Sequence, residues 1–159
     1  MLRCYFLRSR VLLLVGYVFF LVLLPACGVR ILPAPKLTMR VDVSPQANNN
    51  NPVALDLVLV KDKKLYKELM KISAKDWFAK RSQYKLDYPK ETGLSAGSWE
   101  WVPGQAVKID PMPVKFKAAG GLVFANYFNE ASPHRAVIDP GKPFVITLGP
   151  EDITVRIEK

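Results

Sequence analysis

Residues 37–60 read LTMRVDVSPQANNNNPVALDLVLV. In its first third, Leu37, Met39, Val41 and Val43 alternate with Thr38, Arg40 and Asp42. A period of two marks a half-buried strand, because successive side chains point to opposite faces. The last third, Val53–Val60, is apolar almost throughout, which suits a strand covered on both faces and central in its sheet. Ser44–Pro52 between them holds four consecutive asparagines, two prolines and no periodicity, the composition of a loop.

The same pattern recurs toward the C-terminus. Strands are expected at Ser98–Val102, Ala106–Ile109, Leu122–Phe128, Ala136–Ile138 and Pro143–Leu148, with a short edge segment at Val114–Phe116. In DITVRIE, 152–158, the alternation predicts Ile153, Val155 and Ile157 inward. Gly and Pro punctuate these runs, Pro103-Gly104 and Gly120-Gly121 among them. Seven to eight short strands with such turns predict a mainly β fold, a β-sandwich.

One stretch breaks the two-residue period. In KDKKLYKELMKI, Leu65, Leu69 and Ile72 recur at helical spacing, and Asp62 is placed to cap the start. Ser73-Ala74-Lys75-Asp76 forms a second N-terminal signature before Trp77, Phe78 and Arg81. A two-helix insert is therefore expected at about 62–88 within a domain spanning 37–159.

Upstream, Arg3, Arg8 and Arg10 precede fourteen uncharged residues, Val11–Leu24, and then small residues to Gly28. A basic head, an apolar segment and small residues read as a secretory signal. Counted through Gly28 the uncharged run is eighteen, so a retained helix with an inert Cys27 is the other reading. Leu24-Pro25-Ala26-Cys27 resembles the bacterial lipobox, which implies removal of residues 1–26 and acylation of Cys27. Gly28 after the cysteine resembles the pattern that sorts such proteins to the outer membrane. Residues 27–36, with Pro33 and Pro35, then form the lipidated N-terminus and tether. Cleavage there leaves Cys27 as the one cysteine, so no disulfide within the chain is expected.

The chain carries a formal net charge of +9, with 23 basic and 14 acidic residues. Without the three signal arginines the excess is six. It reads as spread along the chain, densest at Lys61, Lys63 and Lys64, and suits a solvated surface, a headgroup layer or an acidic partner rather than nucleic acid.

Little in the chain suggests catalysis. His134 is the single histidine, expected to be exposed in a turn beside Pro133. No pair of residues has zinc-ligand spacing, and no G-x-S-x-G elbow or phosphate loop occurs. No metal, cofactor or small-molecule substrate is expected. Asp76 with Glu100, and Glu151 with Asp152, read as surface charges. Trp99 and Trp101 share a strand face; core packing against Tyr66, Trp77 and Phe78 is one reading and a sugar-stacking platform the other. Ser44–Pro52 is either a flexible connector or a recognition loop on a rigid scaffold.

Taken in order, the lipobox, LTMRVDVSP, the Asn/Pro loop, PVALDLVLVKD, SAKDWF, the PGQ turn, GLVFANYF, HRAVID and ITVRIE resemble the TssJ/SciN outer-membrane lipoproteins of type VI secretion systems. Where that family commonly has an aromatic–Arg pair after the central strand, Tyr127-Phe128-Asn129 stands here. The resemblance implies a transthyretin-like sandwich without enzymatic activity, lipid-anchored at the periplasmic face of the outer membrane. It also implies binding to the periplasmic C-terminal domain of a TssM-type inner-membrane protein, with a TssL-type component reached indirectly. The family's partner-binding loop maps to Gln46, Ala47, Asn48, Asn49, Asn50 and Asn51. A glycan- or ligand-binding lipoprotein using Trp99 and Trp101 is the alternative. An envelope hydrolase is a third, requiring a Ser and a carboxylate around His134.

Overall fold

The computed structural model describes residues 36–158 other than 91, 115 and 116. The signal segment, Cys27 and the tether up to residue 35 lie outside the described residues. So do two positions of the expected edge segment at Val114–Phe116; Val114 itself is buried but in no strand.

The strands are β1 Lys36–Val43, β2 Val53–Val60, β3 Leu94–Trp101, β4 Ala106–Pro113, β5 Gly120–Asn126, β6 Arg135–Ile138, β7 Phe144–Leu148 and β8 Ile153–Ile157. Helices α1 Lys63–Leu69 and α2 Ala74–Asp87 separate β2 from β3. Two four-stranded sheets, ordered β4-β1-β7-β8 and β3-β2-β5-β6, face each other. All neighbours are antiparallel except the parallel pair β1–β7. This is the expected sandwich of seven to eight strands with a two-helix insert.

Two cores explain the hydrophobic patterns. Between the sheets, Leu37, Met39, Val41 and Val43 of β1 meet Val53, Leu55 and Leu57 of β2 and Phe144, Ile146 and Leu148 of β7. On the outer face of the second sheet, Val58, Val60, Leu122 and Phe124 pack against Leu65, Leu69, Ala74 and Trp77 of the helices. β2 is therefore covered on both sides, as its apolar run predicts. Each of these fully buried aliphatic side chains contributes about 1.5–3 kcal/mol relative to exposure.

Helix entry follows the sequence signals. The Asp62 carboxylate accepts from the Lys64 and Leu65 amides at 2.8 and 2.7 Å. Ser73 and Asp76 form a capping box that satisfies two otherwise unpaired amides of α2. Beneath α2 lies a residue the alternation hides: Asp56 of β2, 1% exposed. Its carboxylate accepts from Trp77 Nε1 at 2.9 Å and from Arg81 Nη1 at 3.2 Å. Trp77 and Arg81 are four residues apart on one helix face, so the buried Asp56 carboxylate holds that face of α2 over the sheet, with Arg81 reaching it from the half-exposed rim. Trp77 also stacks on Phe124 at 5.1 Å.

Four expectations are corrected. β3 begins at Leu94 rather than Ser98; its Ala, Gly and Ser carry weak strand preference, and the Trp99 ring supplies the missing bulk by folding back over Gly97, where a Cβ would meet it at 2.4 Å. Trp99 and Trp101 lie opposite Leu55 and Val53 and face the inter-sheet core, whereas Tyr66, Trp77 and Phe78 pack on the other face of the sheet. Ile157 is 55% exposed at the end of an edge strand, so the inward row of β8 stops at Val155. Finally, the positive charge is not spread along the chain. Residues 62–88, the helical insert, hold eight basic and four acidic residues, while the rest from Cys27 onward holds twelve basic and ten acidic.

Strand direction gives the molecule two ends. β1 runs up to the 44–52 loop and β2 runs back, so the chain enters the sandwich at the end where β2 leaves it. Leu37 and Leu59 line one groove there. At this entry end lie the start of α1 and the turns before β3 and β5, because Val60 pairs with Leu94 and Gly120. At the opposite, loop end lie residues 44–52, 127–134 and 149–152.

Candidate functional site

The asparagine loop is a braced left-handed turn rather than a flexible connector. Asn48, Asn49 and Asn50 have φ of 49°, 55° and 61°. Most L-residues resist this region, but the short polar side chain of Asn tolerates it. The run of asparagines thus has a backbone reason. Ser44 N–H donates to Leu148 C=O at 2.8 Å and Asn48 N–H to Pro150 C=O at 3.0 Å, tying the loop to the β7–β8 turn. The Asn51 amide closes the tip on the Asn48 and Asn49 carbonyls at 3.2 and 2.9 Å.

The six residues singled out in the sequence therefore divide. Ala47 and Asn48 are buried. Asn48 Oδ1 accepts from Phe128 N–H at 2.7 Å and its Nδ2 donates to Pro52 C=O at 3.1 Å, which welds two loops together. Gln46, Asn49 and Asn50 are exposed and Asn51 is half-buried, so these four offer the polar surface of the tip. Phe128, 70% exposed, stands beside them. A groove of about 400 Å³ runs from Asn48 and Phe128 past Glu130 to Lys75 at the start of α2. Lys75 and Glu130 pair across it at 2.5 Å.

His134 is not an exposed turn residue: it is 4% exposed with φ of 46°. Its ring stacks on Tyr127 at 4.7 Å, its Nδ1 lies 2.9 Å from Asp152 Oδ1, and its Nε2 lies 2.8 Å from Asn129 C=O. Ser132 Oγ donates to the other oxygen of Asp152. Nor is Asp152 a simple surface charge. Burial pushes its carboxyl upward, but the Ser132 hydroxyl, the Ile153 amide and His134 outweigh this and hold it below the usual aspartate value. Tyr127 donates to the Gly149 and Asp152 carbonyls at 3.0 and 3.2 Å, and burial pushes its phenol well up.

A serine, a histidine and an aspartate thus meet, as the hydrolase reading required. Their connectivity is wrong for catalysis. In a triad the serine hydroxyl gives its proton to a histidine nitrogen. Here that hydroxyl donates to Asp152, and both ring nitrogens face oxygen acceptors, so neither is aimed at Ser132. The cluster clamps the 127–134 loop to the β7–β8 turn. The sugar platform fares no better: Trp101 is buried and Trp99 is half-buried along Gly97. Among the described residues, no three His, Cys, Asp or Glu side chains gather to hold a metal ion. No helix there is long and apolar enough to cross a membrane.

Solved structures share this architecture. The type VI secretion lipoprotein TssJ1 from Pseudomonas aeruginosa superposes with a TM-score of 0.65 at 17% identity, over 80% of this chain and 98% of that one. This is the fold of a type VI secretion lipoprotein. Lip of Serratia marcescens, a membrane-bound component of the same system, aligns at 0.57 and 17% identity, over 80% of this chain and 99% of that one. A chain in the structure of the type VI secretion protein TssM C-terminal domain from EAEC aligns at 0.55 and 15% identity, over 76% of this chain and 97% of that one. The sequence matches no protein-family model and no curated protein.

Three features of the lipoprotein fold's loop end escaped the sequence: the inward Asn48, the buried His134 and the clamp at Asp152. The asparagine run was the one visible signal, since three left-handed residues in succession call for Asn or Gly.

Proposed function

We propose that this chain is a non-enzymatic lipoprotein of a type VI secretion membrane complex. The observation that carries the reading is the shared fold, which extends over 98% and 99% of two lipoproteins of that system. On this reading residues 1–26 are a cleaved signal, acylated Cys27 holds the chain at the periplasmic face of the outer membrane, and 28–36 form the tether. Its partner is the periplasmic C-terminal domain of a TssM-type inner-membrane protein, with any TssL-type component reached only through it. The loop end makes the contact. The presence of this fold in a structure of a TssM C-terminal domain supports that choice, and so does the rigid tip, because a loop already held in one conformation loses little entropy on binding.

The geometry sharpens the test. Replacing all of 46–51 would remove Ala47 and Asn48 and loosen the scaffold itself. Asn49→Gly with Asn50→Gly keeps the left-handed backbone and deletes only exposed amides. The acylated chain in detergent should bind the cognate TssM-type domain saturably, and the double substitution should weaken binding about tenfold, the equivalent of one or two polar contacts. Absence of saturable binding by the unsubstituted chain would overturn the proposal. Full binding by the variant would move the contact to Phe128 and the neighbouring groove.

A further inference from the structure

Five exposed lysines converge where the chain enters the sandwich. Lys36 opens β1, Lys63 and Lys64 open α1, Lys90 follows α2, and Lys117 precedes β5; all five are exposed. None of the five is in an ion pair among the described residues. Most acidic groups at this end are engaged, Asp87 by the Gln83 amide at 2.6 Å, while Asp110 of β4 is exposed. Asp62 caps α1, Asp139 lies 3.3 Å from Lys142, and Glu158 reaches Arg40 at 3.8 Å. Beside the lysines, in the last turn of α2, Leu86 is 75% exposed and follows Lys85. The C-terminal end of α2 is held here by the bond from Leu94 N–H to Tyr88 C=O. The loop end is less basic, with Lys71 beside Ile72 its exposed lysine outside the ion pairs among the described residues. Glu100 and Glu151 are exposed there, Asp152 is partly so, Lys75 is paired with Glu130, and Arg135 is bound to the Ile72 carbonyl at 2.5 Å.

We propose that the entry end is a docking surface for anionic phospholipid headgroups, which stands the domain on the membrane with its loop end pointing away. The inference rests on the anchor at Cys27, and adds to it an orientation and a lipid requirement. A cluster of lysines with an exposed leucine fits the headgroup boundary, where cations meet lipid phosphates and an apolar side chain enters the acyl region. An acyl anchor also keeps the lysines at high local concentration of lipid, so weak attraction suffices. Nine residues from Cys27 to Lys36 span at most about 30 Å, which leaves the lysines within reach of the surface.

The test uses the full chain, expressed with its signal, purified in detergent and reconstituted into vesicles. Neutral phosphatidylcholine is compared with phosphatidylcholine containing about one-third phosphatidylglycerol. A fluorophore is placed through Thr92→Cys at the entry end or Gln46→Cys at the loop end, and quenched by a headgroup nitroxide. Tethering alone brings both positions near lipid whatever its charge, so the response to anionic lipid is the readout. Quenching at 92 should rise about threefold on adding phosphatidylglycerol while that at 46 stays flat or falls. The rise should disappear in about 0.5 M salt, where screening is effective within a few ångströms. It should also disappear in the variant with Lys63, Lys64, Lys90 and Lys117 all changed to Gln. Equal quenching at the two positions, or a rise that survives the quadruple substitution, overturns the inference while flotation on neutral vesicles upholds the anchor. If the chain does not float on neutral vesicles, the anchor reading fails. Salt-sensitive flotation on anionic vesicles then still supports the lysine surface, and none overturns it.

Discussion

At the loop end, Asn48, Tyr127, His134 and Asp152 direct their polar atoms at one another and at the backbone. At the entry end, Lys63, Lys64, Lys90 and Lys117 project into solvent. The first arrangement is short-ranged: buried hydrogen bonds define a shape, and removing a partner leaves another group unsatisfied. The second is long-ranged and screened by salt, and its members are nearly interchangeable. One sandwich thus offers a rigid surface suited to a shaped partner and a basic surface suited to a fluid one.

Substitution should separate the two ends by stability. The largest effect is expected at Asn48→Ala. It orphans the Phe128 N–H and the Pro52 carbonyl and forces alanine to a φ of 49°, for a cost of about 2–4 kcal/mol in denaturant unfolding. A loss below about 1 kcal/mol would show that water replaces the asparagine and that the loop end is less rigid than its bonds imply. Tyr127→Phe deletes one hydroxyl that bonds two carbonyls, and should cost about 1 kcal/mol. Lys63→Gln with Lys64→Gln should change stability by no more than about 0.5 kcal/mol, since neither lysine is in an ion pair among the described residues. A larger loss would mean that the basic end also shapes the fold.

Acid sharpens the comparison further. Asp152 and Asp139 are both held below the ordinary value of 3.8, the former chiefly by Ser132 against the push of burial, the latter by the Gly141 amide and Lys142. A lowered carboxylate contributes stability above its unfolded value and loses it as pH falls through the folded value. Asp152→Asn should therefore flatten the stability loss below about pH 4. Added salt should leave the Asp152 contribution largely in place, because its partners are hydrogen bonds in a half-buried cluster, and erode only the Lys142 share of that of exposed Asp139, whose Gly141 amide bond persists. If salt weakens both equally, the clamp at Asp152 is more open to solvent than its contacts suggest.

Strand and helix identity was legible where periodicity or capping chemistry is local. The alternation in β1, the two-sided apolar run of β2, and the Asp62 and Ser73–Asp76 signals all name elements that formed. The failures have specific physical causes. Leu94–Gly97 lacks the branched residues that advertise a strand, since Trp99 covers the backbone from two residues away. Pattern alone places Trp99 and Trp101 on one face, but which face receives the helices is set by how the sheets stack. Ile157 follows the inward alternation yet is exposed at the end of an edge strand. The charge asymmetry was countable in the sequence, but it becomes a surface only when β1 and β2 bring Lys36 and Lys64 to one end.

Local rules dictated the elements, their caps and the left-handed asparagine turn, because each depends on backbone preference within a few residues. Long-range geometry settled the site. Asn48 meets Phe128 across eighty positions and His134 meets Asp152 across eighteen. Whether a polar side chain is a free surface group or a buried brace depends on what the fold places opposite it, and no local pattern encodes that partner. The same asparagine run therefore contains both the brace, Asn48, and the exposed tip, Asn49 and Asn50, distinguished only by the loops packed against them.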